Sequence, residues 1–276
     1  MSALLALLSS VVWGTSDFFG GTLARRRPPI AVIGGSQPFG LALVVLIAVV
    51  FGHWQLQTEV LLYGAISGAI GLIGLMSFYA ALASGRMGIV SPIASMGVII
   101  PLLIGLARGE NPTGLEMFGI VVAVIGMVLA SGPEISGGAP AKPVILALVA
   151  ALTFGVAIYF MALGGSINPT MTIIVMRVVQ VSIVLVIAIS VRNIGGLDRK
   201  DIPTLILIGT TDAAANLLFA TAAAIGLLSI TSVLGSLFPV VTVILAWWIH
   251  KERLLPIQYV GIIATMFGVL SITFGR

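Results

Sequence analysis

Charge is scarce in this 276-residue chain: Lys and Arg number 13, Asp and Glu 9, together 8% of the residues. A water-soluble domain carries about 25%, because its surface must be wetted, so folding as a monomer in water is excluded. Cysteine is absent, which removes disulfides, thiolate chemistry and the sulfur ligands of most structural zinc sites. Histidine occurs only as His53 and His250, both at the ends of apolar runs. An intramembrane serine protease needs a Ser and a His facing each other inside the bundle; that pairing is missing, and Gly34-Gly35-Ser36 is a poor nucleophile motif. No glycine-rich run ends in Lys-Ser or Lys-Thr, so no ATP engine of Walker type is encoded. The net charge of +4 does not point to nucleic acid, because the basic excess lies in loops beside apolar runs and not on one face.

Apolar residues make up 59% of the chain. A transmembrane helix needs about 20 of them in succession, and ten runs broken by charge, Gly and Pro can be read: 2–23, 30–51, 60–83, 89–107, 115–131, 144–163, 171–191, 204–224, 228–249 and 257–275. The connections are short, and those at Ala83–Gly88 and Ile225–Leu227 force their flanking helices to be antiparallel neighbours. The start of the chain lacks a basic region and a small-residue cleavage site, so the first run is expected to be a retained helix and not a cleaved signal. The expected fold class is an all-α integral membrane protein, multi-pass in the cell membrane.

Ser131–Pro143, rich in Gly, Pro and Ser, reads as a linker between equal halves, 1–138 and 139–276. Trp13-Gly14 matches Phe154-Gly155, and Pro28 matches Pro169, both at a separation of 141. Pro101 matches Pro239, each four residues after a glycine (Gly97, Gly235). Glu110, Gly119 and Gly126 match Glu252, Gly261 and Gly268 at a separation of 142. Matches in order at nearly one offset are an internal repeat. Five spans per half is an odd number, so the second half enters the membrane from the opposite side, as in inverted-repeat transporters. Loops 1–2, 3–4, 5–6, 7–8 and 9–10 hold ten basic residues, against Arg108 and Arg276 on the other side. Basic loops stay in the cytoplasm, so both termini are expected outside.

A charge at mid-membrane costs about 2.5–3.5 kcal/mol on insertion scales and is read as functional by default. Asp17, Arg177 and Asp212 qualify. Either Arg177 forms a static pair with Asp17 or Asp212, or a carboxylate titrates, or Arg177 holds a substrate carboxylate during the cycle. Asn216 shares a helix face with Asp212, four residues away. Gly64, Gly68, Gly71 and Gly74 in span three allow close helix packing or leave room for a substrate. Pro92, Pro101 and Pro239 are candidate kinks or gates. Trp13, Gln37, Tyr79, Tyr159 and Gln180 are the remaining polar or amphipathic candidates within spans. Trp247 and Trp248, beside His250 and Lys251, read as an interfacial anchor. Glu252, between Lys251 and Arg253, is expected to form a local salt bridge or to cap the next helix. Asp198-Arg199-Lys200-Asp201 reads as a solvated loop and not a metal site.

The layout of ten spans, the Trp-Gly in span one, and the duplicated Pro followed by Glu and two Gly seven apart resemble the drug/metabolite transporter superfamily, EamA-type branch. The resemblance covers the whole chain in two copies. It implies a bundle of five-plus-five inverted helices that moves small metabolites, commonly amino acids and related compounds, often outward, by proton exchange or facilitated movement. Trp13-Gly14, Pro101, Pro239, Glu110 and Glu252 match pattern positions that are largely structural. The branch has no universal substrate signature, so Asp17, Arg177 and Asp212 rest on burial alone. Members of the branch often concentrate basic residues between spans two and three, whereas Gly52–Glu59 has none here. The expected partners are a small-molecule substrate, protons as candidate co-substrate and the lipid bilayer, in a monomer or homodimer without cofactor. Uptake is the alternative direction, and a channel or structural membrane protein the alternative class.

Overall fold

The computed structural model describes residues 1–130, 141–192, 195–251 and 255–275, and within them the chain is helical with no strand. The first repeat runs through α1 (Ser2–Ala24), α2 (Pro29–Phe51), α3 (Thr58–Ser84), α4 (Met87–Ser95), α5 (Ile99–Ala107) and α6 (Gly114–Ala130). The second runs through α7 (Ala141–Gly165), α8 (Pro169–Val191), α9 (Ile202–Ile225), α10 (Leu228–Gly235), α11 (Phe238–His250) and α12 (Pro256–Phe274). The ten expected spans are all present. Their ends follow local chemistry: proline opens α2, α8 and α12, where its missing N–H costs nothing. Asn168 caps α8 by accepting from the Met171 N–H at 3.1 Å, and Gly52, at φ 72°, closes α2.

Spans four and nine are each broken. A 3₁₀ turn, Met96–Val98, separates α4 from α5; Ser236 and Leu237 separate α10 from α11. Pro101 has no N–H for the Gly97 carbonyl, and Pro239 none for that of Gly235, so the breaks fall one turn before each proline. Pro92 lies inside a continuous helix. The helix Met87–Ser95 runs through it, and the Gly88 carbonyl that Pro92 leaves free accepts from Gln258 Nε2 of α12 at 2.7 Å.

The two repeats interlock, each pairing having its counterpart: α1 lies on α9 and α7 on α3; α2 lies on α9 and α8 on α3. Where α6 meets α12, a Cβ on Gly119 would stand 2.6 Å from the Gly268 carbonyl oxygen, and one on Gly126 would stand 2.8 Å from that of Gly261. The lower-numbered glycine of one helix therefore meets the higher-numbered glycine of the other, so the helices are antiparallel. Since Gly119 and Gly126 are the repeat equivalents of Gly261 and Gly268, the axis exchanging the halves must lie across the helices, in the membrane plane. The repeats are inverted.

Contacts between loops define two ends. At one, Arg27 Nε pairs with Asp201 Oδ2 at 2.9 Å, and Asp198 and Asp201 cap their own 3₁₀ turn; the acidic pair is a structural turn. At the other, Asn168 Nδ2 donates to the Gln55 carbonyl at 3.3 Å and Thr113 Oγ1 to the Gly275 carbonyl at 3.0 Å. Glu110 also lies at this end and crosses between repeats: its carboxylate accepts from the N–H groups of Leu228 at 2.7 Å and Ser229 at 2.8 Å, capping α10. Trp247 and Trp248 are exposed on the outer surface beside Lys251. The linker segment 131–140, the division at 138/139 within it, and the expected role of Glu252 lie outside the described residues.

The glycine seam carries a prediction. Gly126→Leu forces a branched side chain against backbone at the α6–α12 contact, and overpacking of this kind costs about 1–3 kcal/mol or more. A lowered melting temperature and loss of the monodisperse peak in detergent gel filtration are expected, with Gly114→Leu, which has open space around it, unaffected.

Candidate functional site

Between the repeats lies a cavity of about 90 Å³, several times what one ordered water requires. Side chains of α1, α3, α4, α7, α8, α9, α10 and α11 line it, and so do both helix breaks, through Gly97, Val98, Gly235 and Ser236. Its walls are mainly apolar and aromatic, with Trp13 set against Phe219 at a ring separation of 5.5 Å. On α7 the lining residues are Phe154, Ala157, Ile158 and Met161, a stripe at three- and four-residue spacing that marks one helix face.

Arg177 is 1% exposed and stands on this wall. Its Nη1 donates to Asp212 Oδ2 at 2.8 Å and to Gln180 Oε1 at 3.1 Å, and it also contacts Gln37 Oε1. Gln37 Nε2 donates to the same Asp212 oxygen at 3.3 Å, while Asn216 Nδ2 donates to Asp212 Oδ1 at 3.0 Å and to the Asp212 carbonyl at 2.6 Å. Asp212 is thereby held from three helices: α2, α8 and its own. Arg177 is served on one nitrogen alone. Its Nε and Nη2 are buried and have no hydrogen-bond partner among the described residues. Asp17 also lines the cavity, 7% exposed, and no hydrogen bond or ion pair reaches it among the described residues.

The choice left open by the sequence, Asp17 or Asp212 as the partner of Arg177, falls on Asp212. Of the candidates, Trp13, Asp17, Arg177, Gln180, Asp212 and Asn216 are brought together on one cavity. Gln37 stands behind Arg177 as its holder. Tyr79 does not reach the cavity: it continues the lining row Ser67, Gly71, Leu75 one turn too far and is buried against Gly20. Tyr159 does not either, since it sits next to the lining stripe on α7 and is turned off it, where it carries the Arg108 guanidinium 5.6 Å from its ring centre. Pro92, Pro101 and Pro239 are not lining residues; the breaks that Pro101 and Pro239 create are. Of the four span-three glycines only Gly71 faces the cavity, while Gly64 and Gly68 receive α8 and Gly74 receives α7. Sequence reasoning missed Phe219 and Phe238 as lining residues. Phe154 was signalled only as the repeat equivalent of Trp13.

Among known proteins, the pattern of the EamA-like transporter family matches residues 1–132 and again 141–274. An uncharacterized protein of Methanocaldococcus jannaschii is 30% identical over 130 residues, a match that covers 94% of that protein but 46% of this chain. That relative thus corresponds in size to one repeat. A protein of known crystal structure superposes with a TM-score of 0.77, covering 99% of this chain and 96% of its own, at 15% identity; that likeness concerns the fold.

The Arg177–Asp212 pair is predicted to be strongly coupled. Asp212→Asn leaves a buried guanidinium without its counter-ion, and breaking such a pair costs about 3–5 kcal/mol. In thermal unfolding of the purified protein, Arg177→Met combined with Asp212→Asn is expected to lower stability by clearly less than the sum of the single changes.

Proposed function

The chain belongs to the EamA-like transporter family, and from that premise we propose that it is a secondary transporter that carries small metabolites by alternating access. It is a multi-pass membrane protein, and members of its family move small molecules and are not enzymes. The reading rests on one observation: a polar cluster and both broken helices converge on one cavity halfway along the spans. Discontinuous helices at mid-membrane are where transporters of inverted-repeat construction bind their cargo. Freed backbone groups are tolerated there because they border a cavity or packed protein and not lipid.

The two halves, divided at 138/139, rock against each other where the first helix of each crosses the broken helix of its counterpart. Gly14 packs against the carbonyl of Phe238 and Gly155 against that of Gly97, which are small-residue pivots able to slide. Asp17, Arg177, Asp212 and Asn216, with Trp13, Gln37 and Gln180 around them, form the binding and coupling site. A carboxylate of the pair Asp17 and Asp212 exchanges the coupling proton. Amino acids or related compounds are the preferred cargo, and drugs the wider class. Export, with both termini outside, is the direction we favour, uptake being the alternative. One chain holds a complete pathway and so acts as a monomer, or as a homodimer of complete units.

Reconstituted proteoliposomes test this. A carrier supports counterflow of a labelled substrate and a channel does not. Asp17→Asn and Asp212→Asn are expected to abolish uptake driven by a pH gradient while substrate exchange persists at raised substrate concentration. Normal pH-driven transport by both variants would remove these carboxylates from the coupling role.

A further inference from the structure

Two aromatic pairs beside the cavity are repeats of each other. Trp13 and Phe154 stand 141 residues apart, and so do Phe78 and Phe219. The glycines that close α3 and α9 keep this offset and nearly the same backbone: Gly85 has φ −128° and ψ 178°, Gly226 φ −136° and ψ 175°. In one pair, Phe219 of α9 lies 5.5 Å from Trp13 of α1, ring centre to ring centre. In the other, Phe78 of α3 lies 5.6 Å from Phe154 of α7. Phe78 stands six residues before the end of α3 and Phe219 six before the end of α9, about 9 Å in each case. Successive spans alternate in direction, so α3 ends on the Arg27–Asp201 side and α9 on the Glu110 side. The two phenylalanines therefore lie on opposite sides of the midplane.

Equal sequence positions are not matched by equal packing. Both phenylalanines are buried, yet Phe219 borders the cavity and Phe78 does not. Phe78 is also joined by a third ring, Phe238 at 6.1 Å, and meets both Phe154 and Phe238 edge-on. Such edge-to-face contacts attract beyond the burial of their area. Counted from the paired prolines, the residue that repeats Phe238 is Ile100, so the Trp13–Phe219 pair has no third ring at that position. The cavity follows this imbalance. Toward the Glu110 end its lining reaches Met161 and Ser232, each four residues inside its helix. Toward the Arg27–Asp201 end it stops at Asp17 and Ala94, each seven residues inside. The open volume is thus displaced away from the three-ring cluster.

We propose that Phe78 and Phe219 are the two gate rings of one pathway, with the Phe78 gate shut in this structure and the cavity turned toward the Glu110 end. In the opposite state each repeat takes the conformation of the other, as the in-plane axis allows. Phe219 then withdraws behind Trp13, and Phe78 comes to border the cavity. This rests on the transporter reading of the same cavity, and adds the gating residues and the end that the present state faces.

The absence of native cysteine makes single-thiol labelling a direct test, carried out on the full chain in lipid nanodiscs with a small water-soluble methanethiosulfonate. Ser232→Cys reports the Glu110 side of the cavity. Ala147→Cys reports the other side: Ala147 is fully buried, continues the lining face of α7 past Phe154, and shares a core cluster with Phe78. With both gate rings intact, the thiol at 232 should react at least about tenfold faster than the thiol at 147. Phe78→Ala should speed the thiol at 147 about tenfold, the scale of a lost aromatic pair, and slow the thiol at 232. Phe78→Leu, which keeps most of the volume, should act in the same sense if the alanine variant does not fold. Phe219→Ala should slow the thiol at 147 and leave the thiol at 232 no slower. Equal rates at the two thiols with the rings intact, no change on altering Phe78, or a rise at both thiols together overturns the proposal. Counterflow in proteoliposomes separates the two readings. Counterflow with labelling unmoved by Phe78 overturns the gates and spares the carrier; opposed labelling changes without counterflow of any solute overturn the carrier and spare the gates.

Discussion

A guanidinium sealed inside a bundle that crosses lipid must be held by acceptors from the bundle itself, and much of this architecture can be understood from that requirement. Arg177 finds them on three helices: Gln37 on α2, Asp212 on α9 and Gln180 one turn along its own α8. Asn216 then occupies the other oxygen of Asp212, so the carboxylate is fixed before any cargo arrives. Through Gln37, the cluster ties a helix of the first repeat to two of the second. A buried ion pair gives little net stability against apolar residues of the same volume, which makes its presence here more informative about the site than about folding.

Close approach of helices supplies the rest of the cohesion. In lipid the hydrophobic effect does not drive helices together, and packing must do the work. The α6–α12 seam achieves it with four glycines at which no Cβ could be placed without displacing backbone. That seam contributes no residue to the cavity lining, and it meets both broken spans through Met127 of α6, whose sulfur accepts from Ser95 Oγ at 3.6 Å and from Ser236 Oγ at 3.4 Å. Glu110 makes a second link, capping α10 from the turn after α5. A carboxylate at a helix N-terminus satisfies orphan N–H groups and the helix dipole together. Here it does so across the repeat boundary, at the end of the molecule where the chain termini lie.

The breaks in spans four and nine connect these packing features to motion. Each occurs where proline removes a hydrogen bond at mid-membrane, and each borders the cavity. Pro92 is the instructive contrast, since Gln258 satisfies the carbonyl it frees and the helix continues. At Pro92 the side chain of Gln258 takes over the orphaned carbonyl.

Composition, run length and repeat offset by themselves determined that the chain spans a membrane ten times, that it is duplicated, and that an odd span count inverts the second copy. They also singled out Asp17, Arg177 and Asp212, because charge in hydrocarbon is conspicuous. Only the tertiary structure decided that Arg177 pairs with Asp212 and leaves Asp17 alone, that Gly71 alone of the four span-three glycines faces the cavity, and that Tyr79 and Tyr159 do not. The reason is physical. Lipid and protein interior are both apolar, so these helices are apolar on every face, and the 3.6-residue pattern that tells inside from outside in a soluble protein is erased. The rotation of each helix about its axis is then set by contacts between residues far apart in the chain, such as Gln37 with Arg177.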